Sequence, residues 1–238
     1  MIIIPARLAS TRFPNKILAN IAGFPMVIKT AKAVEGIDHT IIAADSEEVI
    51  KIAQKYGIKA VLTNPNHQSG TDRINEAAQK LGLSEDEIVI NVQSDEPFIE
   101  QSVVLALRQR VEELREKSEW VMASCYKKIT KDEALDPNLV KVVVSENQNA
   151  LYFSRSLMPY DRENAGVQYF GHLGVYGFTF GSLRSFCALP PAPLEQIEKL
   201  EQLRALYYDR TISMVEVESK SCGIDTKEDL AKALKIFV

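Results

Sequence analysis

Met1-Ile2-Ile3-Ile4-Pro5-Ala6-Arg7-Leu8-Ala9-Ser10-Thr11-Arg12-Phe13-Pro14-Asn15-Lys16 opens the chain with an apolar run followed by a cationic loop. Ile2 to Ile4 is a short apolar run of the kind that forms a buried strand. Pro5 breaks it into a loop carrying Arg7, Ser10, Thr11, Arg12 and Lys16. No Asp or Glu precedes Glu35, so this positive charge is not neutralised locally, although the chain as a whole carries a formal charge of -4. Arg forks and a Lys ammonium bind phosphate oxygens, and small residues let backbone N–H groups approach an anion. The loop therefore suits a polyphosphate. A basic surface loop has the same composition, and the stretch alone does not separate the two.

Outward from this strand, the pattern alternates. Helical spacing over 25–34 is followed by an apolar strand at 40–44, and Ser46 stands as the N-cap of a helix that Gly57 stops. A strand at 59–62, a helix over 72–81, a central strand at 88–92 and a helix over 101–116 complete the first part. Such alternation predicts an α/β fold with a mostly parallel sheet and helices on both faces. Ligands in these sheets lie beyond the carboxyl ends of the strands, so the loops 5–16, 63–71 and 93–97 are expected to converge. The second part is richer in strands, at 120–127, 140–145, 150–154, 169–180 and 212–217. It holds a short capped helix at Thr130, one long amphipathic helix over 194–207 and a terminal helix over 226–236. No linker separates the parts. One domain over 1–238 is expected, with 1–118 mainly for one ligand and 119–238 forming a smaller β-rich elaboration.

Bulk properties narrow the classes. A 46% hydrophobic and 25% charged composition is that of an ordinary globular protein. No apolar run approaches the ~20 residues needed to span a bilayer, so no membrane insertion is expected. Met1 leads directly into the first strand without a basic leader, and the three cysteines are scattered; both point to the cytoplasm. The acidic balance and the lack of a basic tail argue against nucleic acid as a partner. Neither a P-loop nor a GxGxxG or GxSxG motif occurs, and the three histidines form no zinc pattern.

Several segments can carry chemistry. Gln93-Ser94-Asp95-Glu96-Pro97 puts two carboxylates just past a buried strand, which suits Mg²⁺ shared with phosphates, or is turn chemistry alone. Gly223-Ile224-Asp225-Thr226 offers a further carboxylate, or a helix cap. The polar loop His67-Gln68-Ser69-Gly70-Thr71-Asp72-Arg73 can read a base edge or simply cap a helix. Arg155 suits a substrate carboxylate. His172, Tyr176, Glu201 and Gln202 suit its hydroxyls, although 201–202 also read as an exposed helix face.

Taken together, the ordered segments PARLASTRFPNK (5–16), HQSGTDR (67–73), VQSDEP (92–97), NLVKVV (138–143), ALYFSRSLMPYDR (150–162), HLGVYGF (172–178), LEQIEKLEQLRAL (194–206) and GIDTKEDL (223–230) resemble the 3-deoxy-manno-octulosonate (Kdo) cytidylyltransferase, or CMP-Kdo synthetase, family. The resemblance runs from Ile3 to near the C-terminus; its first motif is shared with neighbouring nucleotidyltransferases. It implies a nucleotide-diphospho-sugar-transferase-like fold, CTP and Kdo as substrates, Mg²⁺ as cofactor, a homodimer, and a product used in lipopolysaccharide synthesis. It implies that Pro5, Ala6, Arg7, Ser10, Thr11, Arg12 and Lys16 form the CTP loop and that Ser69, Gly70, Thr71, Arg73 and Gln93 surround the cytidine. Asp95 and Asp225 would hold Mg²⁺, acting with Lys16 and Arg12 in catalysis. Arg155, His172, Tyr176, Glu201 and Gln202 would bind the sugar acid. A related acceptor, an amino analogue of Kdo or sialic acid, and a non-catalytic nucleotide-binding protein are the alternatives. The chain departs from the family pattern at Asn15 and Ser94, where glycine is usual. Asn tolerates positive φ better than Ser does, so Ser94 implies a turn at negative φ or a small strain.

Overall fold

The central strand β1 (Ile2–Ala6) is buried along its whole length. Its side chains alternate between two cores: Ile2, Ile4 and Ala6 belong to one and Ile3 to the other. A strand wetted on neither face must lie inside the sheet, and each buried Ile adds about 1.5–3 kcal/mol of apolar burial. The structure is a computed structural model and describes residues 1–10, 13–117 and 120–237.

Parallel neighbours flank β1: β4 (Thr40–Ala44) on one side, with β5 (Lys59–Leu62) beyond it, and β6 (Ile88–Asn91) on the other. The helices α1 (Met26–Ala33), α2 (Glu47–Lys55) and α4 (Gln101–Leu114) pack on the face of Ile2 and Ile4. The helix α3 (Gly70–Lys80) covers the face of Ile3. Ser46 caps α2 by accepting from Val49 N, and Ser69 caps α3 by accepting from Asp72 N. A small antiparallel ribbon, β2 (Asn20–Ile21) with β3 (Phe24–Pro25), leads into α1.

The second half extends the same sheet. The strand β7 (Trp120–Ile129) precedes the short helix α5 (Lys131–Ala134) and the hairpin β8 (Lys141–Val144) and β9 (Ala150–Ser154). The long strand β10 (Tyr169–Thr179) lies antiparallel to β6, β7 and β8, and β11 (Thr211–Glu216) runs parallel to β7. Among the described residues the sheet has nine strands in the path β11-β7-β10-β6-β1-β4-β5, with the β8–β9 hairpin branching from β10. It is a mixed sheet flanked by helices: the parallel core that the alternation predicts, extended by the strand-rich second half.

Two departures from the sequence reading shape the site. A helix α6 (Phe180–Cys187) follows β10 directly, where the pattern predicts strand to 180 and no helix before 194; Thr179 and Ser182 form a capping box at its start. The single helix expected over 194–207 is two pieces, α7 (Pro193–Glu198) and α8 (Leu203–Tyr207), parted by Lys199 at φ 54. The break has a tertiary cause. The Glu198 carboxylate accepts from Ser154 Oγ at 2.7 Å and Arg155 N at 3.0 Å, and its carbonyl accepts from Arg155 Nε at 2.8 Å. These bonds stop α7, and the following turn carries Glu201 and Gln202 inward rather than along an exposed face. The chain closes with α9 (Lys227–Phe237).

Candidate active site

The loops after β1 and β6 and the start of α3 meet around a cavity of about 290 Å³. Pro5, Arg7, Ser10 and Lys16 line it from the first loop, Ser69, Gly70 and Arg73 from α3, and Gln93 and Asp95 from the turn after β6. Asp225, from just before α9, completes the wall. The expected convergence of 5–16, 63–71 and 93–97 is therefore observed. Ala6 is buried in the strand behind the loop. Thr11 and Arg12 lie outside the described residues.

Local geometry explains how Lys16 enters this cavity. Asn15 sits at φ 54, a conformation Asn accepts at low cost, and starts the short 3-10 turn Lys16–Leu18. The Lys16 ammonium donates to Asp95 Oδ2 at 2.7 Å and to Asp225 Oδ1 at 2.8 Å. Burial alone would lower its pKa, but Asp95 and then Asp225 outweigh that effect and raise it above the ordinary value. Asp225 is brought to Asp95 by its own backbone neighbour: Ile224 N donates to Asp95 O at 3.0 Å. Ser94 stands outside the left-handed region, so its turn needs no glycine.

Asp95 and Glu96, read as a pair of cavity carboxylates, part company. Glu96 turns away and accepts from Ser221 Oγ at 2.6 Å, and burial pushes its pKa up to about 7. Only Asp95 of the two lines the cavity, because adjacent residues of a tight turn point apart.

Besides Lys16 and Arg7, the cavity has the Arg73 guanidinium as a cation. It is buried, donates to Thr63 Oγ1 at 2.7 Å, and has its pKa lowered by desolvation while remaining charged. Gly70 lets α3 approach the first loop closely, since a Cβ there would lie 3.1 Å from Pro5 Cγ and Pro5 would have to shift to admit it. Asp45, not singled out from the sequence, accepts from Leu8 N at 3.3 and 3.2 Å and so anchors the first loop to the end of β4. His67 also lines the cavity and is held by Glu76. Its place in the HQSGTDR segment was the available signal; that of Asp45 was a carboxylate directly after a strand.

Ser69, which lines this cavity, and Thr71 beside it lead to a second, buried polar group built on Glu201. The Thr71 hydroxyl donates to Glu201 Oε2 at 2.6 Å. Burial raises the Glu201 pKa, opposed first by its hydrogen bonds to Thr71 and Ser69. Beside it, Tyr176 Oη donates to Gln202 Oε1 at 3.2 Å, and Gln202 Nε2 lies 3.5 Å from His172 Nδ1. Burial pushes the His172 pKa down to about 3, so its ring is neutral. Four of the five expected sugar-site residues are thus contiguous. The fifth, Arg155, uses Nη1 on Pro137 O at 3.0 Å besides its bond to Glu198 O. Lys141, fully buried and missed in the sequence reading, ties the same loops together by donating to Asp136 O at 2.8 Å and Arg155 O at 2.6 Å.

A model of the cytidylyltransferase family matches residues 1–212. The 3-deoxy-manno-octulosonate cytidylyltransferase of Wolinella succinogenes is 54% identical, over 100% of this chain and 99% of its own length. The protein of the same name from a Nitratiruptor species is 56% identical, over 98% of this chain and 97% of its own. A solved structure of CMP:2-keto-3-deoxy-manno-octonic acid synthetase complexed with CTP aligns with a TM-score of 0.89 at 37% identity, covering 99% of this chain and 96% of that one.

Proposed function

This chain belongs to the cytidylyltransferase family, and from that premise we propose that it couples CTP to Kdo, giving CMP-Kdo and pyrophosphate for lipopolysaccharide synthesis. The observation that carries the reading is a shared wall. Ser69 and Gly70 line the cavity that holds Lys16, Asp95 and Asp225, and Glu201 of the buried polar group is hydrogen-bonded to Ser69 and to Thr71 next to them, so the start of α3 belongs to both sites.

In this reading the anomeric hydroxyl of Kdo attacks the α-phosphorus of CTP in line, and pyrophosphate leaves. A sugar carboxylate must approach a polyanionic nucleotide, so charge is the main obstacle. Arg7, Lys16 and Arg73, with Arg12 from the same loop, offset it, and the amino end of α3 adds its dipole. Ser10 and Thr11 hold phosphate oxygens. Ser69, Gly70 and Gln93 surround the base. Arg155 is assigned to the Kdo carboxylate, with Glu201, Gln202, Tyr176 and neutral His172 for its hydroxyls.

Asp95 and Asp225 are assigned to Mg²⁺. Their oxygens converge on one cation, the Lys16 ammonium, and two carboxylates completed by water and phosphate oxygens are a usual Mg²⁺ donor set. Among the described residues no group of three or more His, Cys, Asp or Glu is placed to hold a metal. Bound there, Mg²⁺ would screen the triphosphate and stabilise the leaving pyrophosphate.

We assign the whole chain to one nucleotidyltransferase domain, with 1–118 mainly for the nucleotide and 119–238 mainly for the sugar acid and dimerisation. A cytoplasmic homodimer completes the proposal. Among the described residues no helix is long and apolar enough to cross a membrane, and exposed Leu151 and Tyr160 in the second half offer apolar surface to a partner copy. Sedimentation of the purified protein tests the dimer. An acceptor panel of Kdo, its 8-amino analogue and sialic acid, scored by pyrophosphate release from CTP, tests the reaction. Release with Kdo above the others is expected. Release only with another acceptor reassigns the substrate, and CTP binding without any release marks a non-catalytic protein.

A further inference from the structure

The strand β10 carries a bulge opposite Ser124. Leu173 pairs with Cys125 and Tyr176 with Ser124, so Gly174 and Val175 are extra on β10. In a regular strand His172 and Tyr176, four residues apart, would be separated by roughly 13 Å. Their ring centroids lie 5.6 Å apart. The bulge thus gathers two sugar-site side chains that a straight strand would spread, as bulges beside functional sites do.

Ser124 is fully buried on the facing strand. Its Oγ lies 2.7 Å from Val175 O, 3.3 Å from Leu173 O and 2.8 Å from His172 Nε2. A hydroxyl has one proton. Both carbonyls can only accept, so that proton goes to the nearer one, Val175 O, and closes the bulge. Ser124 Oγ is then left to accept from the ring, and His172 carries its proton on Nε2. A neutral ring so protonated has a lone pair on Nδ1, which calls for a donor. Gln202 must turn its amide nitrogen there, at 3.5 Å, and its Oε1 then receives the Tyr176 hydroxyl, at 3.2 Å. Every proton in the row runs one way, from Tyr176 through Gln202 and His172 to Ser124 and the bulge carbonyl.

We propose that Ser124 is a positioning residue that fixes the His172 tautomer and, through it, the orientation of Gln202 and Tyr176 toward the sugar acid. With the row set, Gln202 keeps one N–H and Tyr176 its oxygen lone pairs for the ligand. With the opposite tautomer Gln202 flips and both are spoiled. The inference rests on the sugar-site reading above. The low pKa of His172 supports it, because a neutral ring is the one that has tautomers to choose between.

The test uses the full protein with ¹⁵N-labelled histidine. There are three histidines, and loss of a signal in His172→Asn assigns the ring. Long-range ¹H–¹⁵N spectra of the wild type should show a pyrrole-type Nε2 and a pyridine-type Nδ1. In Ser124→Ala that pattern should reverse or mix, and the Kdo KM should rise roughly tenfold while the CTP KM stays unchanged. Ser124→Thr, which keeps the hydroxyl, should restore both. A wild-type pattern in Ser124→Ala overturns the proposal, and so does a changed tautomer with a wild-type Kdo KM. If the wild type releases no pyrophosphate with Kdo, the acceptor reading fails instead, and the spectra still test what Ser124 does to the ring.

Discussion

Stability should fall in mild acid through one ring. His172 is buried against Ser124 and Phe153, with no acidic partner in its hydrogen bonds, and burial pushes its pKa from 6.5 to about 3. The unfolded chain takes up a proton near 6.5, whereas the native ring does not until far lower. The unfolded state therefore binds more protons, and stability rises with pH across this window. The contribution is complete above pH 6.5 and is lost as pH falls toward 3. Between pH 8 and pH 5 the unfolded ring gains about 1.5 log units of proton binding, or about 2 kcal/mol. Urea unfolding of the wild type and of His172→Asn at both pH values isolates the ring, because other groups titrate alike in the two proteins. The stability gap between wild type and variant should move by about 2 kcal/mol against the wild type on going to pH 5. A gap that stays constant, or moves in favour of the wild type, refutes the neutral buried ring and the hydrogen-bond row built on it.

Other substitutions separate the parts of the site. Lys16→Ala and Asp95→Asn should each lower turnover by about 10²–10³ with an unchanged circular dichroism spectrum; near wild-type turnover at saturating CTP and Mg²⁺ contradicts their assignment. Gly70→Ala places a Cβ 3.1 Å from Pro5 Cγ and so pushes on the first loop; the CTP KM should rise roughly tenfold with the Kdo KM little changed. Gly177→Ala drives a Cβ to 2.5 Å from Val111 Cγ2 under α4; urea unfolding should show a loss of about 1–3 kcal/mol, while the KM values of the surviving fold are unchanged.

Most of the nucleotide half was legible because its information is local. Ile2, Ile3 and Ile4 announce a doubly buried strand, Ser46 announces a helix start, and three loops must then fall at the carboxyl end of the sheet. What was illegible depends on contacts between distant segments. Nothing near 194–207 shows that Glu198 will be taken by Ser154 and Arg155, so one periodic helix was expected where two occur, and Glu201 and Gln202 seemed as well suited to solvent. Asp95 and Glu96 are equivalent in sequence; a serine 125 positions away from Glu96 tells them apart. Ser124 sits in an apolar run and gives no sign of the bulge it closes, because that bulge is a mismatch of two strands rather than a property of either.

In the proposed reaction the cavity transfers a cytidylyl group to a sugar acid held beside the start of α3. The most direct measurement is the fate of label from [α-³²P]CTP incubated with Kdo, Mg²⁺ and the wild-type protein. All transferred label should appear in CMP-Kdo, none in pyrophosphate, with one pyrophosphate formed per CMP-Kdo. Label in free CMP without sugar conjugate, or label in pyrophosphate, would contradict it.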